Sequence, residues 1–169
     1  MIYIDSVAKP NLSDLNIDVS KDWAFRSITN FAALRLIANL TTDQTWAGLT
    51  APLQAGEEVT ITELVYVKND GKMWLAQSNA AGTMPAIAMA CGTIAANAWG
   101  EFLLIGFFRE DSLLTFTLGD MLYVSDTVAG AFDNVLPDAG DQVQVIGKCL
   151  SGVHIVYFNP SLELVETAV

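Results

Sequence analysis

The sequence predicts an all-β fold, a small β-barrel or β-sandwich with an internal duplication, preceded by an N-terminal arm that carries a short helical segment. Three observations point there. From Glu58 onward, short apolar runs of period two follow one another, separated by Gly, Pro, Asp and Asn clusters, with no helical period between them. Asn69-Asp70-Gly71 sits between two such runs and has the residues of a tight hairpin turn. The β region also repeats weakly: ELVYVKNDGKMWLAQSNAAGTMPAIAMAC aligns with DMLYVSDTVAGAFDNVLPDAGDQVQVIGKC, placing Tyr66 57 residues before Tyr123, Gly82 58 before Gly140 and Cys91 58 before Cys149. One duplication is too little for a solenoid, and it suits a closed or nearly closed barrel of two similar units.

The elements follow in order. Residues 1–50 form the arm and attachment segment, and residues 51–169 the β body. Within the arm, polar PNLSDLNIDVSKD leads into WAFRSITNFAALRLIANL, where Ser20 can cap a helix with Trp23, Ile28, Phe31, Leu34 and Ile37 partly at helical spacing. Ile28, Thr29 and Asn30 weaken that helix and favour an extended start. In the body, VTITELVYV, Met73 to Ala76, PAIAMAC, EFLLIGFFR, LLTFT, DMLYVSD, QVQVIGKCL and VHIVYF are predicted strands. Asn159-Pro160 ends the last one, because proline donates nothing to a ladder.

With 169 residues the chain can bury a core without metal or disulfide support. It is 52% hydrophobic and only 16% charged, with a mean hydropathy of +0.39, so part of its apolar surface is expected to meet another chain. Nineteen acidic against 8 basic residues give a formal charge of -11, and no Lys/Arg cluster is present to neutralise phosphates, which argues against nucleic acid as a direct partner. From Glu101 onward, ten carboxylates face only Arg109 and Lys148. The first five residues have neither the cationic nor the apolar part of a secretory signal, so maturation in the cytosol with reduced Cys91 and Cys149 is expected. The uncharged stretch Thr83 to Gly100 is broken by Pro85, Gly92 and Asn97 and is not read as a membrane span.

Catalytic chemistry leaves little trace. His154 is the only histidine and is read as a polar-face strand residue, with no partner set for a nucleophile. The cysteines lack Cys-x-x-Cys spacing, so neither metal nor cofactor is expected. Asn16, Asp18, Ser20 and Asp22 alternate as in a calcium loop but without its glycine and closing glutamate. Glu57-Glu58 and Glu110-Asp111 are read as solvated loop ends rather than as an acid/base pair. Most tryptophans are core candidates, whereas Trp23 and Phe25 lie in the arm, where aromatic side chains serve as anchors.

Two stretches resemble virion proteins of tailed bacteriophages. GTMPAIAMA, LGDMLYVSDTVAGAFDNVLPDAGDQVQVIGKCLS and VYFNPSLELVE, in that order, are similar to a β module of capsid decoration (cement) proteins and of head or tail fibre proteins. LNIDVSKDWAFRSITNF resembles an N-terminal fibre segment that joins three chains or attaches them to the virion, although Phe31-Ala32 departs from the residues usual after its Asn. The resemblance implies a capsid-surface homotrimer that binds the major capsid protein or another virion protein and is made in the host cytoplasm. It is not an enzyme, and Trp23, Phe25, Ile28 and Asn30 would serve attachment. Two other functions compete. A short fibre or knob binding host glycan or another virion protein would expose Trp74 and Trp99, and a glycan-processing enzyme would need a cleft holding two carboxylates.

Overall fold

A computed structural model describes residues 33–112, 116–151 and 154–166. The chain divides into two compact units, Met1–Leu34 and Arg35–Val169. Among the described residues there is no α-helix, only a 3₁₀ turn at Ala81–Thr83 and eleven strands. The strands are β1 (Thr45–Gln54), β2 (Leu64–Val67), β3 (Met73–Leu75), β4 (Ala88–Ala90), β5 (Trp99–Arg109), β6 (Met121–Val124), β7 (Phe132–Asp133), β8 (Gln142–Val143), β9 (Val145–Ser151), β10 (Ile155–Phe158) and β11 (Val165–Glu166). Nine of them make one curled antiparallel sheet, a half-barrel ordered β3-β2-β4-β5-β10-β9-β6-β7 with β1 on β5, while β8 and β11 pair separately.

The all-β expectation holds, and the register explains the duplication. In the first half Val65 faces Leu75 and Tyr66 faces Trp74, while in the second Tyr123 faces Asp133 and Val124 faces Phe132. Leu64 faces Met89 as Leu122 faces Gly147. Each pair maps onto its counterpart by one offset of 58 residues. The sequence alignment of Tyr66 with Tyr123 is therefore one residue out, because it matched identities and ignored which face each side chain occupies. In a strand, a slip of one residue exchanges the faces. The true counterparts Leu64 and Leu122 are both fully buried.

β5 organises the sheet. β1 covers one of its edges from Trp99 to Arg109, and the other edge is shared, β4 taking Phe102 and Leu103 and β10 taking Gly106 to Arg109. Two arms of the sheet leave that shared edge and curl toward each other. Outside the ladders they are tied by bonds from Leu64 N–H to Gly130 O (2.8 Å), Gly130 N–H to Ala76 O (2.7 Å) and Ser78 N–H to Ser125 O (3.0 Å). At the centre of this seam, the fully buried Gln144 side chain acts as a spare peptide group. Its Oε1 accepts Ala86 N–H (2.8 Å), and its Nε2 donates to Ala86 O (2.7 Å) and to Ser161 O. Ala86 and Gln144 are themselves 58 residues apart, so the two halves meet at equivalent positions.

The main core lies inside the curl and draws on both halves, with Leu64, Met89, Leu103 and Phe108 against Leu122, Ile146, Val156 and Phe158. A second cluster, including Val59, Val65, Ala88, Ile94 and Phe102, covers the outer face of the first arm. With both faces covered, β4 is buried throughout and β2 at Leu64, Val65 and Tyr66. Close approach sets the curvature. Phe158 is flanked by Gly106 on one neighbouring strand and Gly147 on the other, and a Cβ on Gly147 would land on the Tyr157 carbonyl oxygen.

Several strand boundaries differ from expectation. β1 starts at Thr45, so the β body begins before the expected boundary at residue 50. Its TWAGLTAPLQ hides the period because the register slips between Leu49 and Thr50. VTITELVYV is interrupted by a turn: Thr62 has φ 71°, and the Glu63 carboxylate accepts Thr60 N–H (2.6 Å). Phe116 and Thr117 of LLTFT are not a strand, Asp120 closing a turn on Thr117 N–H (2.8 Å); residues 113–115 lie outside the described part. QVQVIGKCL breaks at Gln144. His154 occupies a left-handed turn (φ 57°), not a strand, and its carbonyl accepts Glu110 N–H (3.1 Å). The hairpin at Asn69-Asp70-Gly71 forms as read, with Gly71 at φ 77°, and β10 ends at Phe158 before Asn159-Pro160. The expected helical segment falls largely outside the described residues, and Ala33 to Asn39 are irregular.

Candidate functional site

The ribbon of β1 and β5 extends past the core and presents tryptophans near its two ends. Trp46 lies opposite Phe108, and Trp99 opposite Gln54. Trp99 is 69% exposed and Trp46 37%. Between them runs an open groove of about 320 Å³, walled by Trp46, by Cys91 to Ala95 and by Ala98 to Glu101.

The connection between β4 and β5 forms one wall and is firmly held. Ile94 exchanges backbone hydrogen bonds with Val59 (2.8 and 3.0 Å), and Asn97 N–H donates to Ala55 O (2.9 Å). Asn97 takes a left-handed φ of 65°, its side-chain oxygen accepts Lys72 Nζ (2.6 Å), and its carbonyl accepts Gln54 Nε2 (2.9 Å). The Ile94 side chain fills the space a Cβ on Gly100 would need. Trp99 is therefore exposed on a fixed backbone. Between the two indoles, the Glu101 carboxylate accepts the Thr50 hydroxyl from the facing strand. Cys91 N–H donates to Glu101 O (3.1 Å). Burial, then the negative charge of Glu101, pushes the Cys91 thiol up to about 12, so it stays protonated and weakly nucleophilic near neutral pH.

The other tryptophan expected at the surface has a structural task. Trp74 packs on Gly56, donates its Nε1–H to the Asp70 carboxylate (3.2 Å), and lies under Lys68 Nζ at 4.1 Å from the ring centre. A second cleft, of about 310 Å³, contains Glu63 and Glu110. Both carboxylates hold backbone turns: Glu63 accepts Thr60 N–H, and Glu110, only 8% exposed, accepts Ser112 N–H (3.2 Å) and the Gln44 amide (3.5 Å). The reading of Glu110-Asp111 as solvated ends is thus corrected for Glu110, while Asp111 forms an ion pair with Arg109 (2.7 Å). Glu57 likewise accepts Leu75 N–H (2.9 Å) instead of facing only water. The described residues contain no group of three or more His, Cys, Asp or Glu that could hold a metal ion, and no helix long and apolar enough to cross a membrane.

The expected attachment residues Trp23, Phe25, Ile28 and Asn30 lie outside the described residues. Beside them the structure adds a surface that sequence reasoning missed, the far edge of β1. Among the described residues no strand pairs with it. Its ten residues carry no charge, and Trp46, Leu49 (55% exposed) and Pro52 project from it. Pro52 was the available signal, since proline within a ladder is confined to edges and bulges. No protein family, curated protein or solved structure matches this chain.

Proposed function

We propose that the protein is a virion structural component that decorates and stabilises a bacteriophage capsid as a homotrimer, and that it is not an enzyme. The observation that carries this reading is the long, uncharged free edge of β1. Monomeric sheets protect such edges with lysines, bulges or covering segments, because unpaired N–H and C=O groups recruit another chain. Here the only protections are Pro52 and one register slip. A cement protein uses such an edge: backbone pairing gives adhesion, and Trp46 and Leu49 supply apolar anchors. The resemblance of LGDMLYVSD, GDQVQVIGKC and VYFNPSLELVE to decoration modules supports the same assignment. The partners are other copies of the chain and the major capsid protein, and attachment is assigned to Trp23, Phe25, Ile28 and Asn30 together with the β1 edge.

The test is cosedimentation of purified protein with decoration-free capsids, comparing the full chain, a form lacking residues 1–32, and Leu49→Lys. Leu40 is buried, and its carbonyl accepts Arg109 Nη1 (3.2 Å), so the truncation stops well before it. The full chain is expected to bind, and each variant to bind at least tenfold more weakly. Full binding by the truncated form removes the arm from the mechanism, and no binding by the full chain rejects decoration of that capsid. Light scattering should give a mass of three chains.

A further inference from the structure

We propose that the groove between Trp46 and Trp99 binds a neutral, hydroxyl-rich chain of the pyranose oligosaccharide class, a function separate from capsid attachment. The first argument comes from the duplication. Up to Cys91, counterpart of Cys149, the halves correspond at an offset of 58 residues, but from Glu101, counterpart of Val156, the offset is 55. The first half therefore has three extra residues between β4 and β5. They lie within the segment that walls the groove and delivers Trp99. The groove is where two otherwise matching halves diverge, and the added segment is secured on both sides by hydrogen bonds.

The ligand class follows from what lines the groove. Trp99 leaves most of an indole in water on a rigid backbone, and such a platform releases poorly ordered water when an apolar face covers it. A pyranose ring offers that face in its axial C–H groups. Glu101, oriented by Thr50, is an acceptor between the two rings and matches hydroxyl donors on the sugar rim. The groove has no cation among its walls, and the chain carries a net charge of -11, so an anionic glycan would be repelled. A cage for a small cation needs rings converging on one point, whereas these two stand near opposite ends of the ribbon. Peptide capture by strand addition needs free backbone groups. Those of Cys91, Ile94, Asn97 and Ala98 are already bonded within the protein. The volume of about 320 Å³ lies at the small end of the ligand-site range, roughly 300–1,000 Å³, which fits a few sugar units lying across an open surface.

The test uses the full chain, a neutral glycan array, and follow-up titration of the best binder by indole N–H NMR, with choline, a polyproline peptide and dextran sulfate as comparison probes. The expected result is binding of one or more neutral oligosaccharides, with shifts at Trp99 and Trp46 and none at Trp74. Trp99→Ala should weaken binding at least tenfold and Glu101→Gln threefold or more, with unchanged melting temperature and unchanged capsid cosedimentation. The proposal is overturned if no neutral glycan on the array moves Trp99, if binding survives Trp99→Ala, or if choline, the peptide or dextran sulfate is preferred. Because capsid binding is scored in parallel, loss of one function is distinguishable from loss of the other.

Discussion

Gln144 shows how much one side chain can decide. It replaces two peptide groups at the seam, and a leucine there would leave the Ala86 N–H and C=O buried without partners. Gln144→Leu should cost roughly 2–5 kcal/mol in urea unfolding, since each orphaned group costs about 1–3 kcal/mol; a loss under 1 kcal/mol would contradict the role given to it. The sequence offered only an uninterrupted QVQV alternation at this point, because a buried glutamine looks like any polar strand residue until its partner 58 positions away is known. Asp111 makes a pH prediction. The hydrogen bond and charge of Arg109 hold its carboxyl below the ordinary value, while burial opposes the shift. A lowered folded pKa means that the stabilising contribution is complete above the unfolded value of about 3.9 and is lost as pH falls through the lowered one. Asp111→Asn should therefore lower the urea midpoint at pH 7, and the difference should vanish near pH 2. A difference that persists in acid would mean that the ion pair is not its source.

At the scale of elements, strands were readable where they keep a regular alternation and a punctuating turn, as in the hairpin around Asn69-Asp70-Gly71 and in EFLLIGFFR. They were obscured where the backbone changes phase. β1 slips register, the Thr60–Glu63 turn interrupts an apolar run, and His154 turns before β10. Such breaks arise from tertiary hydrogen bonds, which a local pattern does not contain. The glycine opposite Phe158 gives the corresponding prediction. Gly147→Ala would force β9 away from the Tyr157 carbonyl and should destabilise by roughly 1–3 kcal/mol, toward the upper end because the obstacle is backbone. Thermal unfolding would measure it, and a neutral result would show that the curl is looser than this contact implies.

The whole molecule was legible as a class, and its pairing was not. Repetition of apolar runs announced an all-β chain with two related parts. That β5 would divide one edge between β4 and β10 depends on contacts 50 or more residues apart. The groove was hidden for the same reason: Trp46 reaches Cys91 only through the pairing of β1 with β5. Because the main core takes side chains from both parts, residues 33–112 alone should fail to give dispersed amide spectra, and coexpression with residues 116–166 should restore them. Independent folding of the first fragment would show that the second cluster suffices as a core.

The three-residue surplus between β4 and β5 also makes the protein its own control. Replacing the longer connection with the shorter one from the second half would give a symmetrised molecule, and the reciprocal graft would place an indole platform on the other side of the body. A structural protein studded over a shell in many copies could in this way be given a recognition loop without rebuilding the wall that carries it.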